Sequence, residues 1–364
     1  MSARSPYTSA TPPVRVGLLG YGLAGRAFHA PLIAATPGMT LAAVVTRDPE
    51  RRASLHAAHP SATVLDTPEQ LWDRAASLDL VVVATPNRSH VPLARAALDA
   101  GLATVIDKPF AASAADARAL VHHARTRGRG LTVFQNRRWD GDFLTIRKLI
   151  ADDTLGPIHR FESRFERWNM VPKRGWRELA DPEEAGGLLF DLGAHTIDQA
   201  LQLFGPVRTV YAELDRRRPD VVIDDDVFVA LTHRSGTRSH LWMSKVTAQR
   251  APRFRVLGGR AAFTKYGLDG QEPAMATGAI PGSPGFGEDP PDRWGLLGED
   301  GSARPLPTEP GAYLTFYEAV AAAIRHGTPM PVDPDDAIAG LEIIEAARRS
   351  AERGEVIEVA ATAT

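Results

Sequence analysis

The sequence predicts two folded halves: an alternating α/β domain on a parallel sheet, then an α+β domain whose sheet is rich in antiparallel pairs. Three observations carry this expectation. Between Val14 and about Asn136, short apolar runs alternate with helical patterns, the arrangement that gives a parallel sheet covered on both faces. A glycine-rich turn, Gly20-Tyr21-Gly22-Leu23-Ala24-Gly25, lies where the first run meets the first helical pattern. Beyond Asn136, strand-like runs are joined at Ser-Gly and Gly-Gly turns, and helical patterns return near the end. The expected organisation is a disordered tail over 1–13, a first domain over 14–136 and a second over 137–364.

Six strands are expected in the first half: Val14 to Gly20, Thr40 to Thr46, Thr63 to Leu65, Leu78 to Thr85, Ala103 to Asp107 and Leu131 to Phe134. The run Leu80 to Ala84 is apolar without alternation, which marks a central strand buried on both faces. Helix starts are legible at Thr67-Pro68 with Gln70 and at Ser113 with Asp116, and Gly101 closes the helix from Ser89 to Ala100. In the second half, a helix over Asp140 to Asp152 ends at Gly156-Pro157. Strands follow at Ile158 to Trp168, Val207 to Leu214, Val227 to His233, His240 to Val246 and Phe254 to Leu257. Further helices are expected at Leu188 to Phe204, Tyr313 to His326 and Pro334 to Arg353. The stretch Tyr266 to Pro310 holds 9 Gly and 8 Pro, too many for regular elements, and is expected to be a lid or an interface loop.

Composition narrows the function. The 42 Lys+Arg against 44 Asp+Glu leave a net charge of −2, which gives no field for nucleic acid or an anionic membrane. No cysteine occurs, so disulfides, thiolate catalysis and Cys-ligated metals are excluded. The apolar runs are far shorter than the ~18 residues of a membrane helix, and no secretory h-region follows Met1, so a cytoplasmic location is expected.

The glycine turn follows a strand and opens a helix running through Ala35, the context in which G-x-G-x-x-G binds a dinucleotide. The first Gly permits the tight turn, the second lets backbone N–H groups reach a pyrophosphate, and the third brings helix and strand together. At the end of the second strand, Thr46-Arg47-Asp48, an NAD-specific site would hold an acid. Arg47 stands there, with Arg51 and Arg52 one turn on, which favours the 2′-phosphate of NADP. The alternative is that Asp48 takes the ribose of NAD.

Ligands of such sheets bind at the carboxyl ends of the strands, here Thr85-Pro86-Asn87, Asp107-Lys108-Pro109 and Gln135-Asn136. Only 5 of the basic residues are Lys and 37 are Arg, so Lys108 at a strand end is a candidate donor to a reacting hydroxyl; the bland alternative is a salt bridge to Asp107. Asp191 and His195 are four apart on one expected helix face. A His of near-neutral pKa can accept an alcohol proton while a carboxylate orients it, although a capping Asp and a core His would give the same letters. No metal is expected at Asp191, His195 and Asp198, because hydride transfer with a base present needs none. Asp224-Asp225-Asp226 reads as a solvated strand entry. Trp168, Trp176 and Arg177 could line a polyol pocket, with core packing an equal explanation for the tryptophans.

Taken together, these residues resemble the Gfo/Idh/MocA family of oxidoreductases, from Val14 to Val359. The markers are the glycine turn, Ala84-Thr85-Pro86-Asn87 with His90, Asp107-Lys108-Pro109, and Asp191-Leu192-Gly193-Ala194-His195 with Asp198. The stretches Arg26 to Pro31, Gly267 to Glu272 and Trp294-Gly295 resemble its NADP-linked scyllo-inositol dehydrogenase subgroup. The resemblance implies a Rossmann domain followed by a domain whose open sheet joins copies into a homodimer or homotetramer. It implies that Lys108 contacts substrate and nicotinamide, that Asp191 and His195 supply the acid/base, and that Trp176 and Arg177 lie near the nicotinamide. Thr85, Pro86, Asn87, His90, Asp107 and Asn136 are counted with Lys108 on the cofactor side. The chain departs from the family in having Asp107 where Glu is usual. The expected activity is NADP-dependent hydride transfer at a secondary alcohol of a sugar or cyclitol. Two rivals remain, an oxidation-elimination glycosidase using bound NAD and a non-catalytic dinucleotide sensor.

Overall fold

The structure, a computed structural model, describes residues 12–172 and 181–360; residues 1–11 of the expected tail, together with Trp176 and Arg177, lie outside the described residues. In the first half, strands β1 (Val14–Leu19), β2 (Met39–Val45), β3 (Thr63–Leu65), β4 (Leu80–Val83), β5 (Ala103–Asp107) and β6 (Leu131–Phe134) form one parallel sheet in the order β3-β2-β1-β4-β5-β6. Every residue of β4 is buried, as its unbroken apolar run requires. Helices α1 (Ala30–Ala35), α2 (Pro49–Ala58), α3 (Pro68–Trp72), α4 (His90–Asp99) and α5 (Ala114–Arg127) connect the strands. The order reverses between β1 and β4, and this switch point opens a crevice at the strands' carboxyl ends.

The helix starts follow from side-chain chemistry. The Asp48 carboxylate accepts the Glu50 and Arg51 N–H groups ahead of α2, and the Ser113 hydroxyl accepts the Asp116 N–H ahead of α5. At α3, Thr67 makes no such bond. Gln70 reaches back one residue further than expected and accepts the Asp66 N–H instead.

The second half forms a nine-stranded sheet, β14-β13-β12-β11-β7-β10-β9-β8-β15, which is antiparallel except where β7 pairs with β10. Its strands are β7 (Ile158–Glu166), β8 (Val207–Asp215), β9 (Asp226–His233), β10 (Arg238–Ser244), β11 (Phe254–Gly258), β12 (Ala262–Lys265), β13 (Gly295–Gly298), β14 (Arg304–Leu306) and β15 (Ile357–Glu358). Helices α6 (Gly141–Ala151), α7 (Ala194–Phe204), α8 (Gln271–Ala276), α9 (Leu314–His326) and α10 (Pro334–Arg353) complete the fold. Val229, Leu231, Leu241 and Met243 point into the core on one sheet face. Half-buried Phe228, His240 and Trp242 cluster on the other, where the Arg164 guanidinium lies 4.0 Å over Trp242.

Two expectations are corrected. The Gly- and Pro-rich stretch 266–310 does hold regular elements, namely helix α8 and strands β13 and β14, the two strands extending one edge of the sheet. Asp224 to Asp226 is not a solvated entry: Asp225 is fully buried and accepts from the Arg217 and Arg218 backbone and from Arg218 Nε, while Asp224 accepts the Leu189 N–H. Among the described residues no helix is long and apolar enough to cross a membrane.

Candidate active site at the switch point

The glycine turn is fixed by space. Gly20 has φ +94°, and a Cβ there would stand 2.5 Å from the Ala84 carbonyl oxygen; a Cβ on Gly25 would run into the Gly20 carbonyl. A Cβ on Gly22 would meet nothing nearer than Arg51 Nη1 at 3.9 Å. The first and third glycines are therefore demanded by the protein itself, and the second leaves bare backbone facing open space, a cradle that suits a pyrophosphate. The helix expected through Ala35 starts at Leu23 but runs as a π turn over Gly25–His29 before α1. Leu23 is exposed beside the turn, whereas the Tyr21 side chain is buried, so Tyr21 can offer a ligand only its backbone.

At the end of β2 the charges sort themselves. Asp48 is committed to capping α2, and Arg52 is held by the Thr46 carbonyl and the Asp66 carboxylate. Arg47 is exposed, and Arg51 reaches the edge of the glycine turn at Gly22. Thr46 is buried.

Several residues counted on the cofactor side turn their side chains to protein. The Asn87 amide donates to the Glu184 carbonyl at 2.8 Å and to the Ala185 carbonyl at 3.4 Å. The ring nitrogens of His90 stand 2.9 Å from the Pro109 and Thr85 carbonyl oxygens. The Thr85 hydroxyl accepts from Ser89, next to Pro86, and Asn136 is buried at the end of β6. Asn87 and His90 thus shape the crevice wall and do not reach into it.

At the end of β5, the Lys108 ammonium donates to the Asp191 carbonyl at 2.6 Å and to Asp191 Oδ1 at 2.9 Å. The alternative partner, Asp107, instead accepts the Lys108 backbone N–H at 2.9 Å. Asp191 sits in a π turn, Leu189–Gly193, that leads into α7. His195, on the first turn of α7, is buried, and its Nδ1 has no hydrogen-bond partner. Asp191 therefore engages Lys108, and no carboxylate orients His195 through Nδ1. Burial, reinforced by the charges of Lys108, Arg137 and Arg253, holds the His195 pKa well below the ordinary imidazole value, so the ring is neutral. A neutral buried imidazole beside a lysine ammonium is suited to accepting a proton from an alcohol that the lysine holds. Asp198 is the bidentate partner of Arg138 in a buried ion pair. Trp168 lies exposed past the end of β7, bridged to Val246.

A layer of charge beneath His195 was not foreseen. Arg253 donates to Gln199 and Ser163 and stacks on Phe165 and Phe254, and burial brings its pKa down to about 10. Arg137 pairs with Glu272 and Asp140, and Asp140 accepts from the Tyr313 hydroxyl at 2.6 Å. Only Gln199 left a sequence signal, four residues after His195 on the same face of α7. The arginines approach from distant segments.

Residues 14–135 match the N-terminal Gfo/Idh/MocA profile, described as oxidoreductase family, NAD-binding Rossmann fold, and residues 147–359 match the C-terminal α/β domain of the same family. The chain belongs to the Gfo/Idh/MocA oxidoreductase family. It is 34% identical to scyllo-inositol 2-dehydrogenase (NADP(+)) IolW of Bacillus subtilis, over 94% of this chain and 95% of that protein. It is 39% identical to the oxidoreductase YdgJ of Escherichia coli, over 93% and 96%. The solved structure of the oxidoreductase yvaA from B. subtilis superposes with a TM-score of 0.90 at 33% identity, covering 96% of this chain and 99% of that one. As a Gfo/Idh/MocA member the protein is an NAD(P)-dependent oxidoreductase, and its Rossmann domain carries the glycine cradle described above.

Proposed function

We propose that the protein transfers a hydride between NADP and a secondary alcohol or ketone of a sugar or cyclitol, with Lys108, Asp191 and His195 as the catalytic set. The observation that carries this reading is the Lys108–Asp191 contact, which joins the end of β5 to the turn leading into α7, where His195 lies buried and neutral. Bound nicotinamide would supply the hydride acceptor or donor. Lys108, held by Asp191, polarises the substrate oxygen, and His195 takes its proton on oxidation and returns it on reduction. Asp191 serves to aim the ammonium. The naming of IolW as an NADP(+)-linked inositol dehydrogenase supports a cyclitol as the first substrate to try.

Cofactor choice rests on β2. With Asp48 capping α2 through one oxygen and paired with Arg51 through the other at 3.5 Å, and Arg52 paired with Asp66, the exposed Arg47 is the cation left to meet a 2′-phosphate, with Arg51 beside it at the edge of the turn. Fluorescence titration with NADPH and NADH in parallel tests this. The expected result is tighter NADPH binding, with the preference falling about tenfold in Arg47→Ser, roughly the value of one charge-assisted contact. Equal affinities in the wild-type protein would refute NADP selectivity and leave the family assignment standing.

A further inference from the structure

Helix α9 turns two buried phenols towards polar groups that lie behind the site. Tyr313, at its N-cap, and Tyr317 are four residues apart and share a face. The Tyr313 hydroxyl donates to Asp140 in the layer beneath His195, and the Tyr317 oxygen stands 2.6 Å from His29 Nδ1. His29 closes the π turn behind the glycine cradle, in the stretch Arg26 to Pro31 that the proposed mechanism does not use. It is fully buried, with Phe134 and Tyr317 against its ring.

The direction of this contact follows the tautomer of His29, and the Asp107 carboxylate facing Nε2 favours a hydrogen on that nitrogen. A phenol that donates to Nδ1 leaves the hydrogen of a neutral imidazole on Nε2. That nitrogen faces Asp107 Oδ1 at 3.8 Å and has no hydrogen-bond partner. The same Asp107 oxygen accepts the Lys108 backbone N–H at 2.9 Å. Burial alone would raise the Asp107 pKa, but His29, Lys108 and His90 outweigh it and keep the carboxyl below its ordinary range. A line of groups therefore runs from α9 in the second half of the chain, through the cradle helix, to the backbone of the site lysine.

We infer that His29 and Tyr317 are positioning residues for Lys108: His29, held by Tyr317, turns Nε2 towards Asp107 Oδ1 at 3.8 Å and attracts that carboxylate electrostatically, and the carboxylate, bonded to the Lys108 N–H, sets the backbone from which the ammonium leaves β5. The inference rests on the proposed role of Lys108, but its test reads the contact separately from the chemistry. The chain has 5 lysines, so protein labelled with ¹⁵N-lysine gives five backbone amide signals, and the Lys108 signal is the one lost in Lys108→Arg.

Tyr317→Phe keeps the ring and removes one oxygen. It is expected to move the Lys108 signal while the other four stay, and to lower kcat about tenfold with the nucleotide KM within about twofold, as displacement of a reacting group does. His29→Gln, whose side-chain amide can still donate towards Asp107, is expected to keep the Lys108 signal and turnover nearer wild type than His29→Leu does. An unmoved Lys108 amide in Tyr317→Phe, or equal effects of the Gln and Leu replacements, would overturn the inference. If His29→Leu does not fold, Tyr317→Phe decides alone. Should the amide shift occur while Lys108→Met retains full turnover, the positioning line stands and the proposed role of Lys108 fails.

Discussion

At the scale of single residues, the proposed chemistry depends on a histidine kept neutral by its surroundings. Because burial and three neighbouring cations hold the His195 pKa well below 6.5, the ring stays a competent base as the pH falls through 6.5, where an unperturbed imidazole would already be half protonated. The sign is definite. Alcohol oxidation should keep its plateau below pH 6.5 and fall only as the lowered pKa is approached. Ketone reduction, which needs the protonated ring, should weaken as pH rises. A pH profile of kcat/KM in each direction checks this, and His195→Ala should abolish the acid limb and lower kcat by at least about 100-fold with nucleotide binding intact. An oxidation limb centred at 6.5 would show that neither burial nor the cations lower the pKa of the base. The sequence made Lys108 legible, because a lysine in an arginine-using chain stood at a strand end. It misled at Asp191: a four-residue spacing implies one face of an α-helix, but the intervening turn is π, bonded i to i+5, so four residues fall short of a full turn.

At the scale of elements, the glycine turn separates fold from function. Gly25→Ala drives a methyl into the Gly20 carbonyl and should cost about 1–3 kcal/mol of stability, as overpacking does. Gly22→Ala meets open space in the protein, so its melting temperature should match wild type while its nucleotide affinity falls by an order of magnitude or more. Thermal unfolding and nucleotide titration of the two variants test this together; retained affinity in Gly22→Ala would mean that the pyrophosphate does not approach that backbone. The parallel sheet was readable because strands buried on both faces leave unbroken apolar runs, and β3, β5 and β6 begin and end where the pattern does. The 266–310 stretch was not readable. Its strands β13 and β14 are four and three residues long, and Pro305 is tolerated in β14 because that strand is the sheet's edge.

At the scale of the whole molecule, the site is assembled by contacts between distant segments. Lys108 meets Asp191 across 83 residues, Asn87 meets Glu184 across 97, and His29 meets Tyr317 across 288. Periodicity and capping are local signals, so they revealed the two sheets and the residues at strand ends but gave no hint that α9 braces the cradle helix or that Arg137 and Arg253 bear on His195. The same joining sets Lys108, at the end of β5, against the turn that leads to His195. Hydride chemistry on a polyol is the central claim. The measurement that tests it most directly is steady-state reduction of NADP⁺, followed at the nicotinamide absorbance, against a panel of inositols and aldoses with wild-type protein and His195→Ala. Turnover on at least one cyclitol or sugar, lost in His195→Ala while NADPH still binds, is the predicted result. Tight NADPH binding without turnover on any member of the panel, or turnover that survives in His195→Ala, would contradict it.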